Sequence, residues 1–422
     1  MIHAKTLLPF IAAAALLSPA SAVPAHAYLV YFDNGSTMQV QSHRFEGDKV
    51  IIKTRSGEMS LPKATLDIEK TDRDLASYKL VLAKADAALS AGDAAGAEKM
   101  YKSLLEMDAD DVQVRFLHAK SLIALKQFDG AIYELKRVQE LDPSFRGTKT
   151  RLGDIYYKQA KYNDAIDQYL LALDEDPKDK EAHLGIGNCY AKQDMFEGAI
   201  TELSKAIELR PDYADAYATL GFVYYKKSDF EQARETLAKA IELNPSLPEG
   251  RYYMGLVYGV LGAEERDSKK RQDFFDKSIE SFRKAVTLRR DYPEAHADLG
   301  VALYSRGSVA RAVEEFKTAL SQKPMAVAHN NLAGIYLRQS YYNEAVDEAK
   351  KAVSLEPNMV EAYFIMGNAY ANLKKYKEAA RAYDRYLYYN PEGDMSGEVR
   401  DRLNKVLKEG GLEPVDGGAE QQ

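Results

Sequence analysis

The sequence predicts a mainly α-helical protein. We expect a right-handed α-solenoid of about nine stacked helix pairs, preceded by a small antiparallel β meander and followed by a capping helix. Two series support this prediction, because glycine and proline each recur at a step of 34 residues: Gly153, Gly187, Gly221, Gly255 and Pro143, Pro177, Pro211, Pro245. A fixed period of this length indicates stacked supersecondary units, each of which contacts only its neighbours.

Residues 1–27 have the features of a secretory signal peptide. Lys5 gives a positive start, Leu7–Leu17 is apolar, and small-x-small cleavage sites end at Ala22 and Ala27. The 11 apolar residues are too few to span a bilayer. We therefore expect an exported protein, in a bacterial periplasm or secreted, with no integral membrane segment after the signal is removed.

Charge and cysteine content exclude several classes of protein. The formal net charge is −7, so the chain lacks the basic patch that nucleic-acid binding normally requires, and no nucleic-acid partner is expected. Cys189 is the single cysteine, so the chain cannot form an internal disulfide. Its place inside a predicted helix favours a small buried side chain over a reactive thiol.

Residues 28–70 differ from the rest because their apolar pattern has the period of two that is typical of strands. The predicted strands are Tyr28–Phe32, Thr37–His43, Lys49–Thr54 and Glu58–Leu61, with a hairpin turn at Asp33-Asn34-Gly35. A segment of this size buries little core by itself. We expect it to pack on the first helices or on a partner.

Residues 71–393 have the helical period of 3.6, and one unit explains the others. Tyr217, Leu220 and Tyr224 recur at spacings of three and four, so they lie on one face of a first helix. Gly221 has no side chain, which lets the second helix of the unit approach closely. Pro245 ends the unit, since proline blocks continuation of the helix.

Two motifs recur in phase with this period. An aromatic residue followed three places later by alanine opens the second helices, at Phe128/Ala131, Tyr162/Ala165, Phe196/Ala199, Phe230/Ala233, Tyr342/Ala345 and Tyr376/Ala379. Variants of Leu-Gly-x-x-Tyr occur in the first helices, at Leu152, Ile186, Leu220, Met254 and Met366. In these motifs, over about three quarters of its length, the chain resembles tetratricopeptide-repeat (TPR) proteins. The resemblance implies protein partners and a concave binding face lined mainly by the first helices.

The period is irregular at two steps. From Gly255 to Gly300 it lengthens to 45 residues, an insertion of 11 near residues 262–274. A polar helical hairpin and a solvated loop both fit this insertion. The next step, from Gly300 to Ala333, shortens to 33 residues. Residues 394–409 are predicted to form an amphipathic capping helix, and residues 410–422 a disordered tail.

The sequence contains no arrangement that indicates catalysis. It has no phosphate-binding glycine loop, metal-ligand cluster or nucleophile–base pair. We therefore expect a protein that is not an enzyme and that binds no metal and no cofactor. His183, His296 and His329 occupy equivalent places in their units. Such repetition favours a packing role over ligation.

The small residue of each first helix is the glycine or alanine at the position of Gly221. The resemblance implies that the residues one, four and five places after it line the groove, together with some residues just before it. The predicted groove residues are Tyr157, Lys158, Leu184, Asn188, Lys192, Phe222, Tyr225, Lys226, Tyr252, Tyr304, Asn330, Leu337, Arg338, Phe364, Asn368 and Asn372. Lys158, Lys192 and Lys226 recur at one step. They form a row that either attracts an acidic partner segment or simply keeps a helix face soluble.

We therefore expect a non-catalytic scaffold or assembly adaptor of the cell envelope, which binds extended segments of partner proteins in the TPR groove. The carboxylate-binding pattern of chaperone-binding TPR domains is not reproduced, because Leu184 and Phe364 stand where its lysine belongs. Two alternatives stay open. One is a self-associating structural envelope protein, and the other is a glycan- or peptidoglycan-binding module.

Overall fold

The computed structural model of the chain describes residues 28–40, 42–54 and 57–413. The predicted signal peptide, 1–27, lies outside the described residues, as does most of the predicted tail, 410–422. The chain divides into two compact units, which end and begin at Pro177 and Lys178. We call them unit 1 and unit 2 and describe each by itself.

Unit 1 opens with five strands: β1 (Tyr28–Tyr31), β2 (Thr37–Val40), β3 (Ser42–Glu46), β4 (Lys49–Thr54) and β5 (Gly57–Pro62). Strands β1 and β2 form one antiparallel sheet, and β3, β4 and β5 form a second. The strand predicted at Thr37–His43 is therefore divided between two sheets. A small core of Val30, Val40, Val50, Ile52 and Leu66 lies between them.

The strands pack on the first helix, α1 (Ile68–Ser90). Of the two expectations for this segment, packing on the first helices is the one that the structure shows. The backbone N–H of Tyr31 donates to Thr71 Oγ1 at 3.0 Å, and its hydroxyl donates to Asp74. The N–H of Asp67 donates to the carbonyl of Tyr31 at 2.9 Å. These bonds join β1 to the start of α1.

Helix pairs fill the rest of both units. Unit 1 continues with α2 (Ala94–Met107), α3 (Val112–Ala124), α4 (Phe128–Leu141), α5 (Thr148–Lys158) and α6 (Tyr162–Glu175). Unit 2 contains α7 (Lys180–Lys192), α8 (Phe196–Leu209), α9 (Ala214–Lys226), α10 (Phe230–Leu243), α11 (Pro248–Glu264), α12 (Ser268–Leu288), α13 (Pro293–Ser305), α14 (Val309–Gln322), α15 (Ala326–Arg338), α16 (Tyr342–Leu355), α17 (Val360–Asn372), α18 (Tyr376–Tyr389) and α19 (Ser396–Gly410). The described chain thus holds nine helix pairs and one final helix, which confirms the predicted fold class.

The helices of a pair pack tightly at the small residue of the first helix. A Cβ atom added to Gly221 would lie 2.5 Å from Leu237 Cγ, and one added to Gly367 would lie 2.4 Å from Tyr383 Cε1. Real Cβ atoms do not come so near to other carbon atoms. The predicted reason for glycine at this position is confirmed.

A polar pair also joins the two helices of several TPR-like repeats, each of which is one helix pair. The residue four places before the small residue meets a glutamate 19 residues later, as follows: Arg115 with Glu134, His183 Nδ1 with Glu202 at 2.6 Å, His296 Nδ1 with Glu315 at 2.7 Å, and His329 Nδ1 with Glu348 at 2.5 Å. The three repeated histidines therefore hold helices together, as their equivalent places indicated.

The insertion lengthens both helices of its pair, so the hairpin alternative is confirmed. Helix α11 has 17 residues and α12 has 21. Tyr258 and Phe274 stack across the hairpin at a centroid distance of 6.3 Å. The connection itself is short and charged, which accounts for its exposure to solvent.

Helix α19 caps the last pair. Val399, Val406 and Leu407 are buried in one cluster with Tyr383 and Tyr386 of α18. This packing removes an apolar helix surface from water. Among the helices of the described residues, none has the length and apolar character needed to cross a membrane.

We predict that Gly221→Ala destabilises unit 2 by about 1–3 kcal/mol, because the new methyl group overpacks against Leu237. The matched control is Gly334→Ala, whose Cβ would lie 3.7 Å from Ile365 Cδ1, an ordinary contact. The control should gain up to about 1 kcal/mol from helix propensity. Unfolding midpoints in urea measure both, and a control as unstable as Gly221→Ala would contradict the explanation.

We predict a pH-dependent contribution from Glu202. Burial alone would raise its pKa, but hydrogen bonds from Lys205 and His183 lower it, so its net pKa lies below the usual value. Its stabilisation is therefore complete above the unfolded pKa of about 4.5 and is lost as the pH falls through the lower folded pKa.

Glu202→Gln should lower the free energy of unfolding near neutral pH by roughly 1–3 kcal/mol, which is measured from the urea midpoint. The difference from the native protein should vanish in acid. Glu208→Gln, at an exposed position of the same helix, is the control and should change little. A difference between native and Glu202→Gln proteins that is constant with pH would refute the assignment.

Candidate functional site

The first helices of unit 2 form a layer in which successive members contact each other: α7 with α9, α9 with α11, α11 with α13, and α15 with α17. The predicted groove residues of unit 2 all lie on these helices. They are Leu184, Asn188 and Lys192 on α7, Phe222, Tyr225 and Lys226 on α9, Tyr252 on α11, Tyr304 on α13, Asn330, Leu337 and Arg338 on α15, and Phe364, Asn368 and Asn372 on α17. Tyr157 and Lys158 lie on α5 of unit 1.

Aromatic rings join α9 to α11, and α11 to the residue that precedes α13. Phe222 stacks on Tyr253 at a centroid distance of 4.6 Å and lies 6.2 Å from Tyr225. Tyr252 lies 5.5 Å from Tyr253 and 5.0 Å from Tyr292, the residue before α13. We call these five residues the aromatic cluster. The sequence analysis did not include Tyr253 and Tyr292 among the groove residues. The adjacent tyrosines Tyr252 and Tyr253 were the one feature of the sequence that could have indicated a cluster of rings here.

An acidic side chain lies beside the aromatic cluster. The Tyr252 hydroxyl donates to Asp298 Oδ2 at 2.8 Å. Burial raises the pKa of Asp298, and the charge of Glu294 adds to this effect, while the hydrogen bond from Tyr252 opposes it. In the part of the chain that the structure describes, no Lys, Arg or His pairs with Asp298.

The phenols of the cluster are held in their protonated form. Burial, followed by the charge of Asp298, raises the pKa of Tyr252 far above its usual value. Burial raises the pKa of Tyr253 to about 12. These tyrosines therefore act as apolar surfaces and hydrogen-bond donors at neutral pH, not as catalytic bases.

Two of the predicted asparagines, Asn188 and Asn368, already have partners within the protein for their side-chain oxygens. Asn188 Oδ1 accepts from the Thr219 hydroxyl at 2.9 Å. Asn368 Oδ1 accepts from the Tyr383 hydroxyl at 2.8 Å and from Arg402 at 2.9 Å. Their carbonyl oxygens are therefore engaged in holding helices together, which sequence reasoning did not foresee.

The bond to Asn368 belongs to a repeated pattern. A tyrosine of the second helix donates to the residue just after the small residue, 15 positions earlier; the bonds are Tyr101 to Asp86 at 2.7 Å, Tyr169 to Asp154 at 2.8 Å, and Tyr383 to Asn368 at 2.8 Å. The constant separation of 15 residues is the signal that could have revealed it. This position is structural wherever the second helix supplies a tyrosine.

The capping helix covers the last predicted groove residues. Arg402 of α19 lies over the Phe364 ring at 5.4 Å, and it also pairs with Glu398 at 2.7 Å. Asn372 Nδ2 donates to the backbone carbonyl of Asn368 at 2.8 Å. Phe364 and Asn368 are thus in contact with α19.

The predicted lysines differ in their surroundings. Lys226 Nζ lies 3.3 Å from Asp194 Oδ1, so part of its charge is balanced within the protein. Lys192 is exposed on α7, and Lys158 is exposed on α5 of unit 1. A partial balance of this kind weakens the attraction of Lys226 for an acidic partner.

A pocket of about 200 Å³ opens between α13, α15 and α17. Its lining residues are Val301, Tyr304, Phe316, Asn330, Asn331, Gly334, Ile335, Arg338 and Ile365. We call it the α13–α15 pocket. It brings together three predicted groove residues, namely Tyr304, Asn330 and Arg338.

Within residues 28–40, 42–54 and 57–413, no group of three or more His, Cys, Asp or Glu side chains is arranged to hold a metal ion. Cys189 is fully buried. The site is thus a layer of aromatic, amide and cationic side chains. Its chemistry suits non-covalent binding.

Comparisons with known proteins agree with this geometry. Sequence models described as TPR repeat or tetratricopeptide repeat match residues 88–152, 153–194, 195–228, 223–262, 267–327, 326–359 and 360–392. Together these matches extend over most of the helical region.

Two curated relatives share part of the chain. Tetratricopeptide repeat protein 12 of Mus musculus is 29% identical over 142 residues, which are 32% of this chain and 20% of the relative. The Hsp70-Hsp90 organising protein of Plasmodium falciparum is 27% identical over 117 residues, which are 28% of this chain and 45% of the relative. The chain therefore matches less than half the length of either relative.

Among solved structures, the APC/C hetero-tetramer Cut9-Hcn1 contains a similar chain. Its TM-score is 0.57 at 17% identity, and the match covers 74% of this chain and 59% of that one. At this identity the likeness concerns the fold alone. On the repeated sequence matches and the stacked helix pairs, the chain belongs to the tetratricopeptide-repeat family.

Proposed function

We propose that this protein is a non-catalytic scaffold or assembly adaptor that binds extended segments of partner proteins along the first helices of unit 2. The TPR family and its relatives support a protein–protein interaction scaffold. The aromatic cluster is the observation that carries the proposal.

The cluster has the properties of a binding surface. Phe222, Tyr225, Tyr252 and Tyr253 are half-buried, so each ring keeps part of its surface in water. Aromatic rings of this kind bind partner side chains by apolar contact, and the tyrosine hydroxyls can add hydrogen bonds. Phe222 is only partly buried, so part of its apolar surface remains available to a partner.

We further propose that the protein works in the cell envelope. The support is the signal-like sequence of residues 1–27, with its positive start, apolar stretch and small-residue sites. The negative net charge is compatible with a soluble exported adaptor. Cell fractionation and mass spectrometry of the mature N-terminus test this, and a cytoplasmic protein that retains residues 1–27 would overturn it.

We predict that Phe222→Ala weakens partner binding at least about tenfold, because the truncation removes an aromatic ring from the middle of the binding surface. The measurement is quantitative mass spectrometry of proteins retained from envelope extracts by the tagged full-length chain. Tyr388→Ala is the control, since this ring is 69% exposed and lies on a second helix, α18.

Equal loss of the same partner with both variants, or no loss with either, would contradict the proposed surface. Retention of only a second, differently tagged copy of the chain would favour the self-associating alternative. Loss of retention after peptidoglycan digestion would favour the glycan-binding alternative.

A further inference from the structure

The α13–α15 pocket has chemistry that the aromatic cluster lacks. Arg338 is the one charged side chain in its lining, and no carboxylate lines it. Among the described residues, no acidic side chain pairs with Arg338. The guanidinium is thus available to a ligand and presents a fork of N–H donors that matches a carboxylate.

A second polar atom in the pocket lacks a partner. Asn330 Oδ1 is buried and accepts no hydrogen bond from the residues that the structure describes. A buried carbonyl oxygen without a donor is costly, and such groups are normally satisfied. A ligand that brings an N–H group to Asn330 would remove this cost.

The size and walls of the pocket limit what can enter it. Drug-sized ligands and cofactors occupy pockets of about 300–1,000 Å³, whereas this one has a volume of about 200 Å³. Val301, Ile335 and Ile365 make the walls partly apolar. One amino-acid side chain with an aliphatic stem fits both the volume and the walls.

The pocket coincides with the shortened step of the repeat. Three residues, 323–325, connect α14 to α15, whereas four connect α10 to α11, α12 to α13 and α16 to α17. Gly334 lies in the lining and leaves room, because a Cβ there would have its nearest contact at 3.7 Å. The pocket thus opens between α13 and α15, the two first helices that the shortened step separates.

From these observations we propose that the α13–α15 pocket takes a glutamate or aspartate side chain of an extended partner segment. Arg338 binds the carboxylate, the aliphatic stem contacts Val301 and Ile365, and Asn330 Oδ1 accepts a main-chain N–H of the same segment. The inference rests on the proposed function, since it names the kind of segment that the first helices of unit 2 bind.

Other ligand classes fit less well. A lysine or arginine side chain would meet the Arg338 charge with no carboxylate in the lining to balance it. A phosphate group carries more charge than a single guanidinium balances, and such groups are usually held by several cationic or N–H donors. A carboxylate is the anion that one arginine binds well.

The test is selection of a random 12-residue peptide display library on the native full-length chain, followed by affinity measurements with the selected peptides. We expect an acidic residue at a fixed position of the selected peptides. Arg338→Gln and Gly334→Ala should each lower the affinity at least about tenfold, by loss of the charge-assisted bond and by filling of the pocket. Gly334→Ala should retain or raise the unfolding midpoint, which separates binding from folding.

Arg311→Gln is the matched control, because Arg311 is an exposed arginine of the second helix α14 that lies outside the pocket lining. Its affinity for the selected peptides should change less than about threefold. Peptides that bind Phe222-dependently without an acidic residue, or that bind Arg338→Gln equally well, would overturn this inference and leave the proposed function standing. If the native chain selects no peptide at all, both fail.

Discussion

The close contact between the two helices of each pair, at the small residue of the first helix, is the constraint on which the rest of the structure depends. At Gly221 the facing Leu237 leaves no room for a single methyl group. This contact fixes the separation of the helices and, through it, the rotation of the first helix about its axis. The residues that face away from the second helix are then determined, and they are the ones that a partner can reach.

Polar contacts on both sides of the small residue reinforce this geometry. His183, four places before Gly187, meets Glu202 of the second helix, and in other units a tyrosine donates to the residue just after the small residue. These groups lie between packed helices, where unpaired polar atoms would be costly. A satisfied pair, before the small residue in some repeats and after it in others, therefore selects one alignment of the two helices over neighbouring alignments.

The periodicity of the sequence was enough to predict the helix pairs, their small residues and the capping helix, because each depends on contacts within one unit or with its neighbour. The state of individual groove residues was not predictable in the same way. Asn368 is engaged by Tyr383 and by Arg402 of α19, and Lys226 is paired with Asp194 of an earlier unit. These contacts depend on which side chains neighbouring helices bring near, and that is a property of packing rather than of spacing.

The irregular repeats are where specificity for one register of a bound segment can arise. An array of identical units would offer a partner the same site at every step, so a bound segment could shift by one unit at little cost. Here the lengthened pair contributes Tyr252 and Tyr253 to the aromatic cluster, and α15, the helix after the shortened step, contributes Gly334 and Arg338 to the α13–α15 pocket. The Tyr252-Tyr253 doublet and the combination of Gly334 with Arg338 do not recur at the equivalent positions of the other repeats of unit 2. A segment that meets both groups has a single register, because a shift by one unit would remove its aromatic contacts and leave its carboxylate without Arg338.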